Sequence, residues 1–358
     1  MEIYTYQAEC GDATRIRFLG SDRRYHNIFI DMGFERTFRT VLQSDIKNIR
    51  IENEAIDLCI ISHIHDDHIG GAIAYIQAIS SGEEQDIIKE WFYNPPRYFQ
   101  NIYPIAHNEI SSAKSVRQGD ELLSYLVSHN KKYNSEVSSD LPVIDFLGLA
   151  ITILSPDKKG LQDLRKKYEK VKAIDYQEFT LISEAKSAIG YDYKKRLIDF
   201  DLNDWKEDDS IENKSSIGLL MEFQGKSFLW LADSHPSTII ESLKKLGYSE
   251  SNPIVCDWCK VSHHGSKGNN STEMFGLIQS NNYMLSVNGE NKYYLPSKEC
   301  LARILRNPNR LKGSHYKLHF TYDNDILRGI FNSDGSNVFK QFDFSVQYQN
   351  ARIYNLLG

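Results

Sequence analysis

The sequence predicts an α/β fold: two facing β-sheets with helices on their outer surfaces, an αββα sandwich of four layers. Three observations predict it. Strand-like runs alternate with helical ones along the whole chain of 358 residues. The strands fall into two groups, over about residues 1–156 and 215–358, each accompanied by helices. A charged stretch, Asp157 to Lys214, lies between the groups. The hydrophobic share of 41% is enough for a sizeable core, and 25% charged residues is ordinary for a globular chain. The expected organisation is one domain over 1–358 with 157–214 inserted into it.

Each element has a local reason. Tyr4–Tyr6, Thr14–Phe18 and Asn27–Asp31 read as short strands between Gly- and Asp-bearing turns. Ala55–Ile61 is an apolar strand. Asp66–Ile79 reads as a helix entered through acidic residues, which suit its positive end. Glu90–Tyr93 is a strand stopped by Asn94-Pro95-Pro96. Ile110–Asn130 has helical periodicity. Ile144–Leu154 reads as a hairpin ending at Ser155-Pro156. Ser216–Phe223 and Ser227–Ala232 are strands joined by Gln224-Gly225. Then come a helix at Ser237–Leu246, a strand at Ile254–Ser262 and a helix at Thr272–Ser280. A strand at Tyr283–Val287, a helix at Ser297–Arg306 and a β-rich tail from His315 complete the order.

Residues 61–72, ISHIHDDHIGGA, carry the chemistry. His63 and His65 are two apart at a strand end, so both imidazoles can point at one spot. Asp67 and His68 follow from the turn and the first helical residues. Two nitrogen ligands at one metal and a mixed oxygen and nitrogen pair at a second make a Lewis-acid site. Asp233 ends the apolar run Phe228–Ala232, where a carboxylate can bridge two metals.

The motif His63, His65, Asp67, His68 resembles the H-x-H-x-D-H of the metallo-β-lactamase superfamily. The opening ECGDATRIRF and NIFIDMGF are similar to that superfamily's first hairpin. NKSSIGLLMEF, FLWLADSHP, KVSHHGS and SVNGENKYYLPSKECLARIL follow in family order. The HHGS string resembles the hydrolase domain of ComEC-like competence proteins and phosphorylcholine-esterase-like relatives. The resemblance implies a binuclear metallohydrolase with two ions, Zn or Mn, cleaving phosphodiesters. DNA is the implied substrate, single-stranded DNA favoured. A small or cyclic nucleotide, or β-lactam or thioester hydrolysis, is the alternative. A non-catalytic, metal-stabilised interaction subunit is the reading from another class. The implied metal ligands are His63, His65, Asp67, His68, Asp233 and His264. Asp67 or a metal-bound water handles protons. If the strand Ile254–Ser262 runs on through them, His263 and His264 face opposite ways. By resemblance His264 is then the ligand and His263 acts on the substrate. Lys267 and Ser216 are assigned to substrate binding.

Two departures from the family pattern stand out. The superfamily's further histidine, between the first motif and Asp233, has His107 and His129 as its only candidates, or is missing. Asn213, Ser215 and Ser216 occupy the segment where it belongs. ComEC relatives carry a histidine where Leu295 precedes Pro296.

Other features bound the reading. The net charge of −6 provides no global attraction for nucleic acid. The opening MEIYTYQAECGD has no basic and apolar regions of a signal peptide, and five scattered cysteines read as reduced thiols, so the expected location is the cytoplasm. Cys256 and Cys259 form a C-x-x-C with no second pair and read as strand packing. The insertion 157–214 reads as a solvated helical segment on the surface, open to a protein partner. The other reading is a substrate wall, with Lys194, Lys195 and Arg196 beside Tyr191 and Tyr193. Asp12 and Asp31 read as structural, with Asp12 also able to face the cleft.

Overall fold

The computed structural model describes residues 1–101, 111–169, 190–310, 313–348 and 352–355. Two large sheets face each other. The first runs Arg352–Asn355, Glu2–Thr5, Ala13–Leu19, Tyr25–Met32, Ile56–Ile61, Glu90–Tyr93, Lys132–Asn134. The second runs Phe344–Tyr348, Tyr316–Phe320, Asn282–Leu285, Trp258–Lys260, Lys226–Trp230, Gly218–Phe223, Leu149–Ser155, Ile144–Phe146. The αββα sandwich is thus the fold of the chain.

Period-two alternation builds the layers. In Ile56–Ile61, Leu58 and Ile60 enter the core between the sheets, while Cys59 and Ile61 pack outward under helices. That strand is buried along its whole length, which is why it reads as a continuous apolar run. Ile16, Phe18, Ile28 and Ile30 meet Ile151, Met221, Phe228 and Trp230 across the sandwich. Helices Gln43–Ile51, Asp66–Ser80 and Ser111–Ser128 lie over the first sheet. Helices Pro236–Lys245 and Lys298–Leu305 lie over the second.

Three expectations need correction. The sheets do not divide at residue 156: the hairpin Ile144–Ser155 pairs with Gly218–Phe223, and the C-terminal Arg352–Asn355 returns to Glu2–Thr5. The strand expected over Ile254–Ser262 is two short strands. Ile254–Cys256 pairs with Ile278–Ser280 in a separate small sheet, Trp258–Lys260 joins the main one, and a 3₁₀ turn occupies Ser262–Gly265. The helix expected over Thr272–Ser280 stops at Gly276, because Ile278–Ser280 is that partner strand. Gln43–Ile51 is a helix that the sequence reading left unassigned. Among the described residues no helix is long and apolar enough to cross a membrane.

Candidate metal centre

The strand Ile56–Ile61 ends at the cleft and hands the chain to His63 and His65. His65 is the extended N-cap of the helix Asp66–Ser80, so Asp66 and Asp67 lie in its first turn. Gly70 and Gly71 let this helix press on the first sheet: a Cβ on Gly71 would come within 2.0 Å of the Met32 carbonyl oxygen. The Gly71 amide donates to the Gly33 carbonyl at 2.8 Å. Close seating brings His68 beneath the histidine pair.

His63 Nε2 and His65 Nδ1 are 2.9 Å apart. Two nitrogens on one zinc at 2.0–2.1 Å sit at about this spacing, roughly 3 Å. His68 Nδ1 is 2.8 Å from Asp31 Oδ2, and Asp31 also accepts from the amide and hydroxyl of Ser62 at 2.7 Å each. That leaves His68 Nε2 aimed into the cleft, 3.4 Å from Asp233 Oδ2 and 3.8 Å from Asp67 Oδ2. His264 Nδ1 donates to the Ser286 carbonyl at 2.8 Å, so its Nε2 faces Asp67 Oδ2 at 3.4 Å and Asp233 Oδ1 at 3.9 Å. A ligating histidine is ordinarily oriented this way, through its other ring nitrogen.

Ser262–Gly265 places the second-half histidines. The strand stops at Lys260, and His263, His264 and Gly265 take left-handed φ values of 43°, 53° and 85°. A non-glycine residue there costs about 1–3 kcal/mol, and this turn contains two in succession. The expected opposite-facing arrangement is therefore corrected. Both imidazoles point at one carboxylate, His263 Nε2 lying 3.6 Å from Asp233 Oδ2.

Burial pushes a carboxyl group's pKa up, yet Asp233 is held well below its usual range, because His263, His68 and His264 outweigh the burial. Asp67 is lowered for the same reason, with burial again opposed by His68 and His264. Burial alone would lower His68, but Asp233, Asp31 and Asp67 hold its imidazolium well above the ordinary value. His264 is raised against its burial by Asp233 and Asp12. His63 goes the other way, lowered by burial and by its neighbours His68 and His65. Protonated imidazoles here balance buried carboxylates, a charge that divalent cations also supply.

The donor set fits such cations. Both Asp233 oxygens, His68 Nε2 and His264 Nε2 are buried without a hydrogen-bond partner. Buried polar atoms are nearly always satisfied, so four such orphans converging on one point require a further group. Three groups have ligand atoms close enough to share an ion: His63, His65 and Asp233; Asp67, His68 and His264; and Asp12, His68 and Asp233.

Residues 26–113 match the family model described as Metallo-beta-lactamase superfamily. This matched segment, which contains His63, His65, Asp67 and His68, is similar to that superfamily. No curated protein matches the chain. Among solved structures it is similar to Zn(2+)-bound PqqB from Methylobacterium extorquens, with 9% identity, 99% of this chain and 100% of that chain covered, and a TM-score of 0.43. CmlA, a diiron beta-hydroxylase from Streptomyces venezuelae, matches at 11% identity over 99% of this chain, with a TM-score of 0.40. The chain spans 54% of the length of CmlA. A long form RNase Z from yeast matches at 11% identity, covering 80% of this chain and 37% of that one, with a TM-score of 0.34.

The fold gathers His63, His65, Asp67, His68, Asp233, His263 and His264 at one place. Ser216 is buried, and its hydroxyl has no hydrogen-bond partner. Lys267 is exposed and its ammonium lies 3.6 Å from Glu299. His129 is exposed, with Nδ1 3.0 Å from the Tyr125 carbonyl oxygen; His107 lies outside the described residues. Leu295 is buried in the core beneath the second sheet.

The insertion does not sit apart on the surface. Leu161, Leu164 and Tyr168 of its helix Lys158–Tyr168 are buried. Asp192 accepts from the amides of Lys298 and Glu299 at 2.8 and 3.0 Å, capping that helix. Tyr193 donates to the Pro296 carbonyl and Trp205 to the Lys267 carbonyl, at 3.1 and 2.9 Å. Asp208 accepts from the amides of Asn213 and Asn269 at 2.6 and 3.1 Å, directly behind His263. Its carboxyl is held down despite burial, by His235, His263 and these amides.

Sequence reasoning missed Asp208, Asn269 and Lys260. Lys260 is fully buried, its ammonium bound by Asp12 and 3.1 Å from the Ala232 carbonyl. Asp12 therefore faces the cleft floor: its other oxygen is 3.7 Å from His264 Nδ1. A lysine inside an apolar strand was the available signal for a buried partner.

Proposed function

We propose that the protein is a binuclear metal-dependent hydrolase of phosphodiester bonds, with single-stranded DNA as the favoured substrate. Asp233 carries this reading. It is a fully buried carboxylate without a hydrogen-bond partner, surrounded by the ring nitrogens of His63, His68, His263 and His264 at 3.4–3.9 Å. His63 and His65 would hold one ion and Asp67, His68 and His264 the other, with Asp233 within reach of both groups.

Two divalent ions, Zn or Mn, would supply Lewis acidity at the phosphoryl oxygens and a nucleophile at neutral pH. The chain's own groups do the rest. Asp31 fixes the tautomer of His68 so that Nε2 keeps its lone pair for the cleft. The Asp67 side chain, 23% exposed, is the acidic group of the cluster that solvent reaches, and it takes the proton. Lys267, on the rim after the HHGS turn, faces the phosphate charge, and the Ser216 hydroxyl gives it a hydrogen bond. The preference for phosphodiesters rests on the likeness of that turn to ComEC-like and phosphorylcholine-esterase-like sequences.

One observation favours a second reading, a phosphodiesterase on a small or cyclic nucleotide. Arg196 is paired with Asp199 at 2.8 Å, and the Lys195 ammonium sits over the Phe200 ring at 4.6 Å. Tyr193 is packed against the core beneath the second sheet. The basic and aromatic track that a long single strand needs is thus partly engaged already.

The test is a panel of single-stranded DNA, duplex DNA, RNA, cyclic dinucleotides and bis(p-nitrophenyl) phosphate, incubated with protein loaded with Mn or Zn. Cleavage of single-stranded DNA is the expected result. Cleavage of cyclic dinucleotides alone selects the second reading. Hydrolysis of a β-lactam or thioester with no diester cleaved defeats both.

A further inference from the structure

We infer that the loop Ser286–Ser297 carries a base-stacking shelf beside the metal centre, formed by Tyr293 and Tyr294, which takes a nucleobase next to the scissile phosphate. This rests on the phosphodiester reading above and deepens it by naming what flanks the bond.

Both ends of this loop rest on the turn Ser262–Gly265. At its start the Ser286 carbonyl accepts from His264 Nδ1 at 2.8 Å, and the Ser286 hydroxyl donates to the Gly11 carbonyl at 2.6 Å. At its end the Ser297 amide donates to the Gly265 carbonyl at 3.0 Å. Pro296 Cβ lies 2.8 Å from where a Cβ on Gly265 would stand. Tyr294 is two residues before Pro296, so about 7 Å of chain at most separates it from that contact.

The tip of the loop is braced from three sides. Asn291 Oδ1 accepts from the amides of Tyr293 and Leu295 at 3.2 and 2.9 Å, and its Nδ2 donates to the Leu295 carbonyl at 2.8 Å. Asn324 donates to the Asn288 carbonyl at 2.6 Å. Tyr191 of the insertion donates to the Gly289 carbonyl at 2.6 Å, and Tyr193 holds Pro296. A loop fixed this way by its scaffold suits recognition.

The rings on this frame do not serve the core. Tyr293 and Tyr294 belong to none of the apolar clusters of the described residues. Tyr293 is 50% exposed, with the Lys292 ammonium 4.8 Å from its ring centroid. Tyr294 has a left-handed φ of 57°, a conformation that glycine takes freely and a tyrosine does not. Its ring meets Tyr191 edge-on at 4.9 Å.

The chemistry follows from what the tip offers. Glu290 and Lys292 offset each other, so it has no net charge for a phosphate. It offers aromatic faces, on which any base stacks. A chain of net charge −6 holds a base this way without a positive field. The phosphate then belongs at the metal centre and the base on the rings. A single strand and a small nucleotide both present that base.

The test is fluorescence anisotropy in chelator, so that nothing is cut. The labelled probes are pentathymidylate, an abasic oligomer of the same length and a cyclic dinucleotide. The proteins are wild type, Tyr293→Ala, Tyr293→Trp and Tyr294→Gly. Tyr294→Gly removes the ring and suits the left-handed backbone, so the loop keeps its course; circular dichroism confirms that each variant is folded. Wild type is expected to bind a base-bearing probe more tightly than the abasic one. Tyr293→Ala and Tyr294→Gly each weaken that binding by about 5–100-fold and leave the abasic probe unaffected, while Tyr293→Trp retains it. With metal added, the same two variants raise KM for the base-bearing substrate and leave kcat unchanged. Weakening with pentathymidylate identifies a single strand as the source of the base, and weakening with the cyclic dinucleotide alone identifies a small nucleotide. The inference is overturned if wild type binds base-bearing and abasic probes alike, if both ring deletions leave base-bearing binding unchanged, or if they weaken all probes equally. A wild type that binds bases through these rings but cleaves no diester with Mn or Zn defeats the function proposed above and leaves the shelf standing.

Discussion

The two histidine-bearing segments of the centre reach Asp233 by opposite means. His63–His68 sits where a buried strand becomes a helix, with His63 and His65 on the short link between them and no left-handed φ along it. His263–His264 sits on a turn with left-handed φ at three successive residues. In the first segment, the strand end at Ile61 sets where the link begins and the helical period places Asp67 and His68. In the second it follows from a strained reversal that no periodicity encodes. The first is fixed from behind by Asp31, which touches His68 directly. The second is fixed by Ser286 and by Asn269, which in turn leans on Asp208 of the insertion.

Asp233 belongs to both segments, so its replacement should have the largest effect. Asp233→Asn is expected to lower metal affinity at both sites by more than the roughly 10–100-fold typical of a supporting residue, and to abolish diester hydrolysis. Metal content and bis(p-nitrophenyl) phosphate turnover measure this. A variant that retains both ions and full turnover would show that the two segments work without a shared carboxylate.

Much of the first segment was legible in the sequence, because the strand end and the helix start dictate where its side chains lie. The strand before them and the helix after them stand as read, and the four side chains meet at the cleft. The second segment was legible in composition but not in direction. KVSHHGS follows an apolar run, and the run continues as a strand only if Asp257 does not break it. In the structure it does: the Asp257 carboxylate accepts from Ser227 N at 2.9 Å, and the chain changes sheets there. Asp208 was hidden for another reason. It lies in an acidic run, DWKEDDS, that has the composition of a solvated loop, and only tertiary packing brings it behind His263. The crossing of Ile144–Ser155 into the second sheet is likewise a long-range pairing, with no local signal.

Asp31 sharpens the comparison at a single hydrogen bond. Asp31→Asn keeps the shape and tolerates the left-handed φ of 57°. Its amide still accepts from Ser62 N, but it turns a donor toward His68 Nδ1 and the Ser62 hydroxyl. His68 then loses the acceptor that sets its tautomer. The expected result is a site about 10–100-fold weaker for metal, with the His63–His65 site little changed. Competition titration resolves the two affinities. Equal weakening of both would mean that the sites do not bind independently.

Glu212 gives the smallest effect on the centre and a clear one on stability. It lies at the end of the insertion, 8% exposed, with Lys167 Nζ at 2.5 Å and Tyr168 donating to it. Burial raises its carboxyl, but His65, Lys167 and Tyr168 outweigh that and hold it down to about 2 from an ordinary 4.5. A group whose folded-state pKa is depressed stabilises above its unfolded value, and that stabilisation is lost as pH falls through the folded value. The window is therefore pH 4.5 down to about 2, and the linkage corresponds to about 3 kcal/mol at neutral pH. Glu212→Gln should lower the urea midpoint at pH 7 by an amount that shrinks as pH is taken from 5 toward 3, where the wild type protonates the same group. Because Glu212 ties the helix Lys158–Tyr168 to the segment that leads into Asn213, this measures how firmly the insertion is seated behind His263. Parallel stability curves for the two proteins across that range would mean that the carboxylate is not held by these partners, and that the second segment owes its geometry to Asn269 alone.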